Sequence, residues 1–367
     1  MQNKGELGLG VFYASLFLVY VFSFLSRITR EKNYKLVSIL WISFSIAVLI
    51  LVAGLSHGLG DSGMYKHTYN LLVQDPSQAR FDRDGGWTLF NLILIQFSTN
   101  PQTLLFVAAF INHLCNGIIL YKYRSYLELE FYLYIASGYY TVTMNGLRQC
   151  LAAALLFICI RFLIQGKFKV YCLLVLIISA IHASALVMIP VYFIVRKEAW
   201  SRSVVIFIGL AAIGVVFYSI LEPILFELLK GTQYGGYSSF KEGGSSFIRT
   251  VVNAVPVILA YLKRDELKKK WPESNIFVNI ALINLIFVAF GMFNWIFNRF
   301  TLYFQLYNFI LIPYLIKNCF VGKEKRLLYF GLIVCYFIFF YREQVVGMGI
   351  KYSSDYINAN NFFYSIK

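Results

Sequence analysis

The chain of 367 residues is 59% hydrophobic and 18% aromatic but only 14% charged, and its mean hydropathy is +0.65. Those values exclude an ordinary soluble protein and predict one polytopic membrane domain over 1–367, with no room for a separate soluble domain. The formal charge of +15 fits loops that meet anionic lipid, so it calls for no nucleic acid partner.

In chain order, apolar runs lie near 9–26, 37–55, 101–120, 130–145, 147–164, 168–181, 183–195, 203–221, 247–262, 276–293, 299–316 and 327–341. They predict an all-α membrane helix bundle of about twelve spans, some short or broken. No basic stretch precedes the first run and no small-residue cleavage site follows it, so it reads as a retained helix. The six cysteines stand singly in or beside apolar runs without ligand spacing. They read as packing residues, and no metal or other cofactor is expected from them.

One block decides the topology. Between Gly166 and Arg202 an apolar stretch carries His182, Ser184 and Pro190 near its middle, too long for one ordinary crossing and short for two. As a hairpin bent at His182, it puts the basic clusters at 27–35, 122–124, 161–169, 196–202, 263–270 and 317–326 on one side, with 21 of the 33 Lys and Arg residues. A single crossing inverts everything downstream and scatters them. The positive-inside rule favours the hairpin, with both termini outside and the bend opening outward. The outer side then holds 12 basic residues against ten acids.

Four outward features carry polar chemistry. The loop from Ser56 to Trp87 mixes glycines with His57, Asp61, Tyr65, Lys66, His67, Tyr69, Arg80, Asp82, Arg83 and Asp84. It suits a hydroxyl-bearing or phosphate ligand, and an ordinary solvated loop has the same composition. The apolar stretch 87–97 is too short to span and predicts an interfacial or re-entrant helix closing an outer unit at 56–100.

Asn145-Gly146-Leu147-Arg148-Gln149 heads an apolar helix, where a guanidinium either forks onto two oxygens of a phosphate or snorkels to lipid. Asn298 and Arg299 repeat the Asn and Arg pattern near the end of the chain, and two such sites resemble a diphosphate clamp. His182, in Ile181-His182-Ala183-Ser184, can take a proton from a hydroxyl; a histidine satisfied inside a bundle looks the same. Two further outer segments are expected, a flexible Gly-rich loop at 222–246 and a tail at 342–367.

Together, GLGDSGMYKHTY, Asp84-Gly85-Gly86, NGLRQCLAAALLF, AIHASALVMIP and the NRFTLYF block resemble the EpsG family of exopolysaccharide polymerases, relatives of Wzy. The most specific part is the Arg-Gln pair followed about 35 residues later by His-x-Ser-Ala.

That resemblance implies a GT-C-like, membrane-embedded glycosyltransferase of the bacterial plasma membrane, with its active site facing the outer leaflet. It implies a polyprenyl-diphosphate-linked oligosaccharide donor and acceptor, in capsule or biofilm exopolysaccharide synthesis, and work without a bound metal. Expected partners are membrane lipid and a flippase and chain-length regulator of the same pathway.

On that footing Arg148 and Arg299 offset charge on the departing diphosphate, with Lys66 or Arg83 as helpers. Asp61 and His182 both remain candidates for the base. Tyr65 and Trp87 are expected to stack on sugars, and Asp84, Asn145 and Asn298 to line the substrate. A transporter or flippase of lipid-linked sugars is the alternative, and a non-catalytic subunit a third reading.

Overall fold

A computed structural model of the protein describes residues 4–81, 84–229 and 243–357. Among them every regular element is a helix. Four helices are long and apolar enough to cross a membrane unaided: Leu9–Glu31, Lys35–Gly54, Gln102–Tyr123 and Gly322–Gly347. Their outward faces carry exposed Leu36, Ile39, Leu40, Phe110 and Phe330, as lipid-facing surfaces do. Inward contacts use small polar residues instead: Ser23 with Ser45, and Ser26 with Ser38, hold the first two helices together at 3.0 Å. This is an all-α integral membrane bundle.

Of the other expected crossings, those near 247–262 and 276–293 form the unbroken helices Phe247–Leu262 and Ser274–Phe290, while several others are interrupted. The run near 130–145 forms Leu127–Ala136 and Tyr139–Asn145, separated at Gly138. The run near 299–316 forms Ile296–Phe300, a 3-10 turn Thr301–Tyr303, and Gln305–Cys319. The single span expected at 203–221 departs most: Arg202–Val216 and Tyr218–Ile224 meet at 89°, where the Tyr218 ring stacks on Phe293 at 4.9 Å. The Gly-rich 222–246 segment lies outside the described residues between 230 and 242.

The block around His182 bends back on itself. Helix Phe168–Ser179 is followed by a 3-10 turn Ala183–Val187 and helix Met188–Val195. Arg196 then donates to the carbonyls of Leu163 and Ile164 at 2.7 and 3.0 Å, so both ends of the block lie together.

All six basic clusters meet at that same end of the bundle. Arg27 pairs with Glu128, Lys317 with Glu31 and the Ser125 carbonyl, Lys268 with Glu198, and Lys270 with the Asn318 carbonyl. At the opposite end the chain from 352 folds over residues 52–57: Tyr352 donates to the Val52 carbonyl, Ser353 to His57 and Ser354 to Leu55. Phe12, early in the first helix, packs against Tyr352 there.

Candidate functional site

Asp84 organises that second end. It has a left-handed backbone, φ 41°, immediately before helix Gly85–Ile95, a strain aspartate tolerates better than most residues. The turn is fixed from behind by the Gly86 amide, which donates to the Ala180 carbonyl at 2.8 Å. A β-carbon at Gly86 would stand 2.8 Å from the Ala180 carbonyl carbon, so only glycine permits this approach.

Three groups converge on the Asp84 carboxylate, which is 6% exposed. Arg148 Nη1 donates to Oδ2 at 2.9 Å, His182 Nδ1 lies 3.1 Å from the same oxygen, and the Ala183 amide donates to Oδ1 at 3.0 Å. Burial by itself pushes the carboxyl pKa up, but His182, the Ala183 amide and Arg148 outweigh it and hold Asp84 below its ordinary value. An ionised carboxylate only accepts hydrogen bonds. His182 Nδ1 therefore carries the proton, and in the neutral ring Nε2 keeps the lone pair.

The neighbouring pair of motif residues also meets. Gln149 donates to the Ser184 hydroxyl at 3.2 Å and to the Arg299 carbonyl at 2.9 Å, and Ser184 shares a hydrogen bond with the Tyr303 hydroxyl at 2.7 Å. The Arg-Gln and His-x-Ser blocks thus lie side by side, Arg148 reaching His182 through Asp84 and Gln149 reaching Ser184 directly. Sequence reasoning noticed Gln149 and Ser184 only as motif letters, although a buried amide between two buried polar groups is what fixes the spacing.

Two expectations are corrected here. Arg148 is no free clamp, because Asp84 already neutralises it. Tyr65 and Trp87 are no open sugar platform: they are 6% and 7% exposed and pack edge to face at 5.6 Å. Tyr65 instead lies beneath the Arg148 guanidinium, 5.8 Å from its ring centre.

Asp61 stands beside the cluster. Its amide donates to the Asn145 side chain at 2.8 Å, while its carboxylate makes no hydrogen bond or ion pair among the described residues. Lys66, half-buried on helix Ser62–Gln74, likewise has no ion-pair partner among them. Arg83 lies outside the described residues.

Asn145 also lines a cavity of about 480 Å³, with Asn298 and Arg299 in its wall. Asn298 donates to the Gly291 carbonyl at 3.3 Å, and the Arg299 guanidinium lies over the Trp295 ring at 4.7 Å. No carboxylate pairs with Arg299 among the described residues. Arg249 and Glu343 line the cavity too, as an ion pair at 2.7 Å between residues 94 positions apart; no sequence pattern could have joined them. Among the described residues no three His, Cys, Asp or Glu side chains are placed to hold a metal ion.

Fold and site together define an integral membrane protein whose broken helices bring an acid, a histidine and an arginine to one end of the bundle, beside a polar cavity. The chain belongs to the EpsG family, which matches residues 39–354, and so to a family of membrane-embedded polymerases of exopolysaccharide synthesis. Neither a curated protein nor a solved structure matches it.

Proposed function

We propose that the protein is a glycosyltransferase that joins polyprenyl-diphosphate-linked oligosaccharide repeats into exopolysaccharide and releases polyprenyl diphosphate. The observation that carries this is the meeting of Arg148 and His182 on one Asp84 oxygen, next to a cavity lined by Arg299, which has no carboxylate partner among the described residues.

A sugar hydroxyl of the acceptor attacks the anomeric carbon, the bond from that carbon to the diphosphate oxygen breaks, and the hydroxyl proton must leave. His182 Nε2 takes that proton, with Asp84 orienting the ring and stabilising the imidazolium. The departing diphosphate gathers negative charge on a loosening, oxocarbenium-like bond, and Arg299 with Lys66 offsets it without a bound metal. The Asp61 carboxylate, without a partner among the described residues, accepts from and orients the acceptor. Of the two candidate bases, the oriented imidazole is preferred to Asp61, because only His182 has a partner that fixes its tautomer.

The gathering of all six basic clusters at the opposite end supports an orientation with that end in the cytoplasm. The site then faces the outer leaflet of a bacterial plasma membrane, where a flippase supplies the lipid-linked repeats and a chain-length regulator acts beside it. Purified protein in liposomes, given a polyprenyl-diphosphate repeat, should yield a ladder of longer lipid-linked glycans, with or without a chelator. Movement of labelled lipid between leaflets with no ladder would replace the polymerase with a flippase.

A further inference from the structure

Part of the cavity lining differs chemically from Arg299. Arg249 donates to Glu343 Oε2 through Nε and Nη2 at 3.1 and 2.7 Å, and Ser246 donates to Glu343 Oε1. This cation is already neutralised, so the wall offers a diphosphate little net attraction. Next to it Gln344, 2% exposed, accepts from the Thr141 hydroxyl at 2.6 Å. Gln344 lines the cavity, and its amide nitrogen makes no hydrogen bond among the described residues, which leaves it able to donate to a ligand there.

The Gln305 amide, also in the cavity wall, has no partner among the described residues. Gln344 sits in a π-helical turn, Tyr341–Gly347, a distortion that recurs at functional sites. It packs against Gly138, whose φ of 84° and lack of a β-carbon leave room for the amide.

We infer that Arg249, Glu343, Gln344 and Gln305 form a subsite for the uncharged, hydroxyl-rich glycan of the substrate, separate from the diphosphate position at Arg299. A pyranose ring presents neighbouring hydroxyls that both donate and accept. A carboxylate, a guanidinium with an N–H to spare and two amides supply complementary acceptors and donors, and Leu302, Phe339 and Met348 give the cavity an apolar side for C–H faces. The assignment rests on the polymerase reading, since that reading supplies a glycan at this cavity.

The test uses full-length protein in nanodiscs and two probes: the repeat-unit oligosaccharide freed from its lipid by mild acid and labelled, and polyprenyl diphosphate. Glu343→Gln and Arg249→Lys should each weaken oligosaccharide binding about tenfold while polyprenyl diphosphate binds as before. Arg299→Ala should do the reverse, and retained binding of either probe shows that a variant is folded.

No binding of the free oligosaccharide to wild type, or equal loss of both probes in Glu343→Gln, overturns the subsite. Its failure is distinct from failure of the polymerase reading. A glycan ladder with no such split sinks the subsite alone, whereas the split without any ladder sinks the polymerase reading alone.

Discussion

His182 Nδ1 and the Asp84 carboxylate oxygen lie 3.1 Å apart, although 98 residues separate them in the chain. That contact fixes which imidazole nitrogen is basic, and it links a loop residue to the bend of a helical hairpin. The shape of the hairpin and the chemistry of the site are therefore one question.

Replacing Asp84 tests this contact. Asp84→Asn keeps the shape but lets the side chain donate as well as accept, so the His182 tautomer is no longer set. Ladder formation should slow by about 10²–10⁴, with far less change in the KM for the lipid-linked repeat. A larger change in KM than in kcat would make Asp84 a substrate contact.

Arg148 and Arg299 should separate stability from rate. Arg148→Ala strips a partner from a buried carboxylate and should cost about 1–3 kcal/mol of folding stability, toward the low end because Arg148 is a third exposed and screened. Arg299→Ala should leave stability within about 0.5 kcal/mol yet slow transfer by about 10²–10³. Thermal unfolding in detergent and single-turnover rates on the two variants decide it.

Gly86 is predicted to accept no side chain. Gly86→Ala drives a β-carbon against the Ala180 backbone, which cannot yield as a flexible side chain does, and should lift Asp84 off the hairpin. Activity should fall as far as in Asp84→Asn. Near-normal activity in Gly86→Ala would mean that the loop is not docked there during turnover.

The pH dependence follows from Asp84. Its folded pKa is held below the unfolded value, so its stabilisation is complete above the ordinary aspartate value of about 3.9 and disappears as pH falls through the folded value. The difference in unfolding free energy between wild type and Asp84→Asn should be constant at neutral pH and shrink only in that acid window. A difference that shrinks near pH 6 would assign it to another group.

Lys197 follows the hairpin and lies exposed at the basic end. A Lys197→Cys variant should be labelled by membrane-impermeant reagent only after the cytoplasmic side is opened, and Asp75→Cys from outside in intact cells. The reverse pattern would turn the whole bundle over.

Class and much of the layout were legible without coordinates because hydropathy and charge are local and additive along the chain. A stretch such as 37–55 declares itself apolar whatever its neighbours do, and the basic clusters fall on one side once the 168–195 block is folded double. The breaks were harder. At Phe217 the chain turns by 89° between two apolar helices where composition shows no reason to stop, and the Tyr218 ring finds its stacking partner in Phe293, 75 positions later.

By itself the sequence determined a helical membrane protein, its hairpin, its basic end and the motif residues at the other. Only the tertiary structure decided what those residues do to one another. Arg148 is neutralised by a carboxylate 64 positions away, Gln149 joins Ser184 to the Arg299 backbone, and Arg249 pairs with Glu343 in the wall of a cavity. Hydrogen bonds and ion pairs act over about 3 Å, and short apolar spans say nothing about which of their ends come that close.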